Sequence, residues 1–342
     1  MNSNYKERLK YYVDGLLIEN ASWHTKRENL NAIADLFAEM HVYDLKNQND
    51  NPAEKEIWLD TGYAVSSWSA AMCLLEVART TVFLKGIIEA IRVMLARNTT
   101  RPLHILDAGC GPYALLSIIP ALYFSFEEVQ FHLIDIIPEN IRSVQKAIMG
   151  LELQAYIGGI YEEDASKFIW PATVPLHIAI SETMLNALRK EPQVAITLNL
   201  CKQLVPDGIF IPEQINVELM QVDQRKKHRV TMSGYDHILR TDFETKLADI
   251  MQLNKNTIAN DENSIPLTQV QLRNSYNPTI HGLELYTTIK VFGDQILQHN
   301  DCSLTLPYIL SRPFKQPIPS NAVLDFSYQI LGNPGIKMNI SS

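Results

Sequence analysis

The sequence predicts an α/β chain in three parts: a helical N-terminal region (residues 1–97), an open parallel sheet with crossover helices (98–212) and a mainly β, barrel-like C-terminal domain (213–342). Three observations carry this. From about residue 4 to residue 97 the apolar spacing is helical and shows no convincing strand. From Leu103 short apolar runs (Leu103 to Leu106, Val129 to Ile134, Leu176 to Ile180, Gly208 to Ile211) alternate with helix-length segments, as buried parallel strands do. Beyond Pro212 the β-branched runs continue (Ile215 to Leu219, Leu285 to Val291, Val323 to Ile330), but the stretches between them lose helical length and gain Asn, Pro and Gly.

The polar stretches Asn47 to Pro52 and Asn254 to Ser264 read as loops. With 342 residues, 46% of them hydrophobic, the chain can bury a large core. No apolar run approaches the roughly 20 residues needed to cross a bilayer, and the N-terminus lacks the apolar core of a secretion signal, so a cytoplasmic protein is expected. The net charge of −8 argues against nucleic acid or anionic membrane as partners and suits a cationic small molecule. Cys73, Cys110, Cys201 and Cys302 lie far apart with no CxxC pair, which predicts reduced thiols and no metal. His132 and His177 lie in apolar strands and read as core residues.

The run Leu103-His104-Ile105-Leu106-Asp107-Ala108-Gly109-Cys110-Gly111-Pro112-Tyr113 is a buried strand ending in a glycine turn, with a helix starting near Ala114. Small residues at Gly109 and Gly111 let a ligand lie against the backbone. Asp107 opens the turn with a negative charge, which repels a pyrophosphate and attracts an ammonium. That points to S-adenosylmethionine rather than a dinucleotide. The next strand ends in Asp135, whose carboxylate can accept from both ribose hydroxyls. Glu163-Asp164-Ala165-Ser166 precedes the next predicted strand and could offer an acceptor to the adenine amino group. Asp107, Ala108, Gly109, Cys110, Gly111, Asp135, Asp164 and Ala165 are therefore the expected cofactor contacts, on a Rossmann-like class I methyltransferase domain.

After the strand Leu176 to Ile180, Glu182 and Glu191 lie nine residues apart at the sheet edge where open α/β folds bind ligands. If the chain between them folds back, two carboxylates can converge on one planar cation, and a guanidinium matches such a pair. This pair is the candidate catalytic site. Here the sequence resembles the protein arginine methyltransferases, whose hallmark is two glutamates in a hairpin loop at this place and spacing. Leu74-Leu75-Glu76-Val77-Ala78-Arg79-Thr80 resembles the family's segment before the first strand, which implies that Arg79 meets the cofactor carboxylate. Leu204-Val205-Pro206-Asp207-Gly208-Ile209-Phe210-Ile211-Pro212 resembles the strand leading into the family's barrel. The resemblance spans roughly residues 60 to 340 and implies an S-adenosylmethionine-dependent methyltransferase that forms homodimers, with Asp236 to Ser264 as the dimer arm.

The departures are specific. Thr183-Met184-Leu185-Asn186 replaces a Trp-Met-Gly-Tyr-like run, and Ser311-Arg312-Pro313-Phe314-Lys315-Gln316 stands where a Thr-His-Trp loop is expected, with Pro313 and Phe314 for its histidine and tryptophan. Tyr63 is the nearest match to the family's substrate-side tyrosines; with Met184 it is the expected substrate contact. These differences favour free arginine or another small guanidino compound over a protein. A non-guanidino small molecule, aminocarboxypropyl chemistry and a non-catalytic cofactor-binding partner are the alternatives.

Overall fold

The computed structural model describes residues 4–46, 56–98, 100–233, 243–259, 261, 263–273, 275–313, 315 and 317–341. Helices α1 (Tyr5–Leu17) and α2 (Trp23–Glu39) pack together. Ser22 Oγ accepts the Thr25 N–H at 3.0 Å, which satisfies a first-turn amide of α2. A hairpin of β1 (Ile57–Leu59) and β2 (Gly62–Ala64) follows, then α3 (Ser67–Met72) and the long α4 (Val77–Arg97). The hairpin corrects the reading of this region as free of strands. Three-residue strands are too short to show alternation, and this hairpin is held by distant partners: Tyr63 N donates to Lys190 O at 3.0 Å and Gly332 N to Asp60 O at 2.6 Å. The loop predicted at Asn47 to Pro52 lies outside the described residues.

The central sheet comprises β3 (Leu103–Ala108), β4 (Val129–Asp135), β5 (Ile157–Glu162), β6 (Leu176–Ser181) and β7 (Leu204–Ile211), with α5 (Leu115–Ile118), α6 (Pro138–Gly150) and α7 (Gln193–Leu200) between strands. All strands are parallel, in the order β5-β4-β3-β6-β7. The chain winds outward from β3 to β5 and then crosses to the other side of β3, and this reversal opens a crevice at the strands' carboxyl ends. The sequence pattern had concealed β5, because Gly158 and Gly159 dilute its apolar run and its side chains are half exposed at the sheet edge. Glu163 and Asp164 therefore follow a strand of their own. The helix expected from Ala114 is a single turn, α5.

Tyr113, the departure from a third glycine, has a structural use. Its ring is 3% exposed and stacks on Phe37 of α2 at 4.6 Å, and its hydroxyl donates to Tyr43 O at 3.2 Å. The side chain thus ties the N-terminal helices to the glycine turn. Tyr113→Ala should cost about 3–5 kcal/mol, the usual penalty for deleting a buried aromatic ring, read as a lowered urea midpoint.

His132 and His177 are core residues, as predicted, and join His104 in a row across β4, β3 and β6. His104 Nδ1 lies 3.1 Å from His132 Nε2, and His104 N donates to His177 Nδ1 at 3.0 Å. Burial, helped by His104, lowers the His132 pKa to about 4 from 6.5. A neutral His132 therefore supports the fold fully above pH 6.5, and that support is lost as pH falls towards 4. The loss should be roughly 2 kcal/mol, at 1.36 kcal/mol per unit and reduced for residual solvent contact. Urea unfolding at pH 7.5 and 4.5 measures it, and His132→Phe should flatten the difference.

The C-terminal part contains β8 (Gln214–Asp223), α8 (Gln224–Ser233), β9 (Glu244–Asn254), β10 (Ser264–Gln271), β11 (His281–Phe292), β12 (Gln295–Leu297), β13 (Tyr308–Ser311), β14 (Val323–Gln329) and β15 (Gly335–Ser341). One antiparallel sheet runs β12-β11-β8-β9, with β13 also on β11; the other runs β10-β14-β15. The three β-branched runs are β8, β11 and β14, as predicted. The assignment of Asp236 to Ser264 to a dimer arm needs correction. Residues 236–242, 260 and 262 lie outside the described residues, and Glu244–Asn254 is β9, hydrogen-bonded to β8 along its length. Helix α4 packs on β11 and β12 and also on α1, α2 and α5, so it joins the C-terminal part to the N-terminal helices and to the helix after β3.

Candidate functional site

A cavity of about 290 Å³ opens at the carboxyl ends of β3, β4 and β6, closed by α3, α4 and the β1–β2 hairpin. Its wall includes Tyr63, Arg79, Asp107, Gly109, Cys110, Asp135, Asp164, Ala165, Glu182, Met184 and Glu191. Residues chosen from six separate stretches of sequence thus meet in one place. Two chosen residues stand behind the wall. Ala108 is fully buried in the core, and Gly111 contributes through its backbone, donating to Asp135 Oδ2 at 2.8 Å.

The glycine turn depends on backbone shape. Gly109 and Gly111 adopt φ of +81° and +65°, where a side chain is strained. At Gly109 the immediate neighbour is Thr183, whose Cγ2 would overlap an added Cβ. The small residue therefore admits the loop after β6.

Asp107 is 1% exposed and accepts the Ser117 hydroxyl at 2.8 Å; burial pushes its pKa up to about 7. Asp135 receives Ile137 N at 2.9 Å on its other oxygen, and burial raises its pKa against these hydrogen bonds. Asp164 accepts from Ser166 N at 2.9 Å and Ser166 Oγ at 2.7 Å, a local turn beside the wall.

Arg79 lies in the first turn of α4, with its guanidinium between two carboxylates. Its Nε donates to Glu182 Oε2 at 3.0 Å, its Nη2 pairs with the same oxygen, and its Nη1 lies 3.1 Å from Glu76 Oε2. Burial opposes the charge, but Glu182 and the neighbouring acids outweigh it and raise the Arg79 pKa. Glu76 is held in turn by the barrel, accepting Ser303 N at 2.9 Å and Ser303 Oγ at 2.8 Å. This locates the barrel segment that reaches the cavity. Ser303 and Leu304 line it, so the expectation for Ser311 to Gln316 is corrected: Pro313 is not on the wall, and Phe314 and Gln316 lie outside the described residues. A 3₁₀ turn at Ser303–Thr305 projects from the barrel, while Tyr308–Ser311 is committed to pairing with β11.

The chain from Glu182 to Glu191 does fold back on itself. Ala187, Leu188 and Lys190 take φ of 56°, 54° and 64°, left-handed values that cost non-glycine residues energy. The barrel holds this shape: Ala187 N donates to Thr287 Oγ1 at 2.9 Å, Asn186 Nδ2 to Leu306 O at 2.8 Å, and Tyr328 OH to Leu188 O at 2.8 Å. Both glutamates consequently face one cavity. The second oxygen of Glu182, Oε1, is buried without a hydrogen-bond partner, and the 7%-exposed Glu191 carboxylate has none among the described residues. Burial, then the charge of Glu182, pushes the Glu191 pKa up to about 8. Among the described residues six carboxylates line the cavity against one guanidinium, that of Arg79, an imbalance that favours a cationic ligand.

The fold has solved counterparts. A Trypanosoma brucei PRMT1 enzyme–prozyme heterotetrameric complex with AdoHcy superposes with a TM-score of 0.50 at 14% identity, over 75% of this chain and 86% of that one. A PRMT6–SAH structure gives 0.51 at 12% identity over 79% and 98%, and a further PRMT6 structure 0.53 at 12% over 80% and 99%. This is the fold of the PRMT structures. No protein-family model matches the chain, and no curated protein does.

Sequence reasoning missed Ser303, Leu304, Asn140 and the acid Glu76 beside Arg79. Glu76 stood in a segment already singled out; Ser303 is more than 200 residues from its partner and carries no motif. Among the described residues there is no His, Cys, Asp and Glu group that could hold a metal, and no helix is long and apolar enough to cross a membrane.

Proposed function

We propose that this chain is an S-adenosylmethionine-dependent methyltransferase acting on a guanidino nitrogen, more suited to free arginine or another small guanidino compound than to a protein. The observation that carries the reading is that Glu182 Oε1, buried with no hydrogen-bond partner, and the buried Glu191 carboxylate, which makes no hydrogen bond among the described residues, lie on the wall of one acidic cavity. A guanidinium supplies the donors both lack.

The cavity suits the cofactor. The left-handed glycine turn, Asp107 and Asp135 at adjoining strand ends, and Arg79 match a ligand with a ribose, an ammonium and a carboxylate, and structures of like fold hold AdoHcy, the product that S-adenosylmethionine leaves after methyl transfer. When bound, S-adenosylmethionine supplies an electrophilic methyl group. The protein's part is position and charge. Arg79, fixed by Glu76 and Glu182, presents its guanidinium to the cofactor carboxylate; Asp107 faces the ammonium and Asp135 the ribose. Glu191 and the free oxygen of Glu182 orient the acceptor, and Glu191 takes the proton that leaves its nitrogen. Placement in the cytoplasm and assembly into a homodimer belong to the same proposal, and light scattering tests the dimer.

The deciding experiment incubates the protein with methyl-labelled S-adenosylmethionine and a panel of free arginine, other guanidino and amino compounds, and arginine-rich peptides, followed by mass spectrometry. Label on a small guanidine supports the reading in full. Label on a non-guanidino compound sinks the guanidinium assignment and keeps methyl transfer, and cofactor binding without transfer to any compound points to a non-catalytic partner.

A further inference from the structure

Three main-chain hydrogen bonds join segments far apart in sequence around the acceptor end of the cavity. Tyr63 N donates to Lys190 O at 3.0 Å, Lys190 N donates to Pro334 O at 2.8 Å, and Gly332 N donates to Asp60 O at 2.6 Å. They form a closed circuit. The β1–β2 hairpin is latched to the double-glutamate loop, the loop to the turn between β14 and β15, and that turn back to the tip of the hairpin.

The latch is close-fitting. Gly62 adopts φ +132°, and a Cβ there would overlap Lys190 O and lie 2.9 Å from the Glu191 carbonyl carbon, so the hairpin can seat on the loop only with glycine at this position. Seated there, it brings Leu59 and Tyr63 onto the cavity wall and leaves Glu191 7% exposed. Tyr63 senses Glu191 directly: burial, then the glutamate's charge, raises its phenol pKa to about 12. Trp58, directly cross-strand from Tyr63 and so on the same face of the hairpin, packs its ring 5.2 Å from the Tyr63 ring and stays 68% exposed.

We infer that the β1–β2 hairpin is a size filter: latched across the double-glutamate loop, it admits a small acceptor to Glu191 and excludes a guanidino group carried by a folded or extended polypeptide. This rests on the reading that Glu191 marks the acceptor end. A polypeptide acceptor needs an open groove on both sides of its side chain, and the circuit occupies that approach with backbone that is already hydrogen-bonded. Opening it requires breaking Tyr63 N–Lys190 O and Gly332 N–Asp60 O together. Tyr63 is the filter's inner face and a specificity-determining residue, since its ring bounds the space beside Glu191.

The filter can be read without knowing the acceptor. In Glu191→Cys, with the unmodified protein as the control for Cys73 and Cys110, labelling rates are measured for iodoacetamide and for an iodoacetyl group on a capped pentapeptide. The expected result is labelling by iodoacetamide at least 100-fold faster than by the peptide reagent, relative to the ratio for a free thiol. Adding Gly62→Ala, which pushes the hairpin off Lys190, should bring the two rates within about tenfold. Circular dichroism confirms the fold, and if Gly62→Ala does not fold, Tyr63→Gly takes its place and should narrow the gap in the same direction. Equal rates in the single variant overturn the filter, as does a gap that neither hairpin change narrows. If the gap is present but no guanidine is methylated, the filter stands and the guanidinium reading fails.

Discussion

Replacing Glu191 with glutamine is expected to lower kcat by a factor of about 10²–10⁴ while making the protein more stable in base. The activity loss is that of a removed general base, with the weaker hold on a cationic acceptor added. The stability gain follows from the same burial. The folded-state pKa of Glu191 stands at about 8 against an ordinary 4.5, so its contribution to stability is fully present below 4.5 and is lost as pH rises through 8, when an unpartnered charge must be carried inside the protein. At about 1.36 kcal/mol per unit the cost approaches on the order of 4 kcal/mol above pH 9. Glutamine never ionises. Thermal unfolding at pH 6 and pH 9 should show the unmodified protein losing several degrees more than Glu191→Gln. A variant that loses activity with no change in the pH dependence of unfolding would mean that Glu191 is not a buried, unpaired acid. The opposed effects mark a group kept for function at a cost in stability. Cofactor binding should be nearly unchanged, which separates Glu191 from Glu182: Glu182→Gln also weakens the Arg79 clamp and should raise the cofactor Kd.

Gly109→Ala is expected to reduce both cofactor affinity and turnover, each by about 100-fold, because the left-handed backbone and the Thr183 contact act together. Thr183 cannot step aside. Its N donates to Gln193 Oε1 at 2.9 Å, and its hydroxyl lies 3.0 Å from Ser181 Oγ and 3.2 Å from Gln193 Oε1, all within the strand end and helix that set Glu182. A methyl group at residue 109 is therefore transmitted to the adjacent glutamate. The double change Gly109→Ala with Thr183→Ser removes Cγ2 and keeps the hydroxyl, so it should recover about tenfold of turnover and leave the remaining loss to backbone strain. Titration calorimetry with S-adenosylhomocysteine and initial rates measure the two effects. If Thr183→Ser recovers nothing, the steric route to Glu182 is wrong.

Four apolar strands of the sheet, the mainly β C-terminal part, the glycine turn with Asp107 and Asp135, and the spacing of Glu182 and Glu191 were all legible in the residues. All are local. A parallel strand shows itself as an apolar run, a ligand turn as glycines after a strand, and a sheet edge as whatever polar residue ends the run. The choice of Arg79 as a cofactor contact was legible only through the resemblance of its segment to a known family, and its pairing with Glu182, 103 residues away, and with Glu76 was not legible at all. What the tertiary structure decided lay wherever a residue's place depends on a distant backbone. β5 is hidden by its two glycines and emerges only by pairing with β4. The β1–β2 hairpin exists because Lys190 and Gly332 supply its outside hydrogen bonds. The reach of Ser303 to Glu76, and the absence of Ser311 to Pro313 from the cavity wall, follow from which barrel segment is already spent on pairing with β11. Ala187, Leu188 and Lys190 hold backbone angles their own side chains disfavour, because Thr287, Leu306, Tyr328 and Pro334 hold the loop from the barrel. Periodicity records which face of an element is buried; it carries no record of which distant carbonyl or hydroxyl that face will meet.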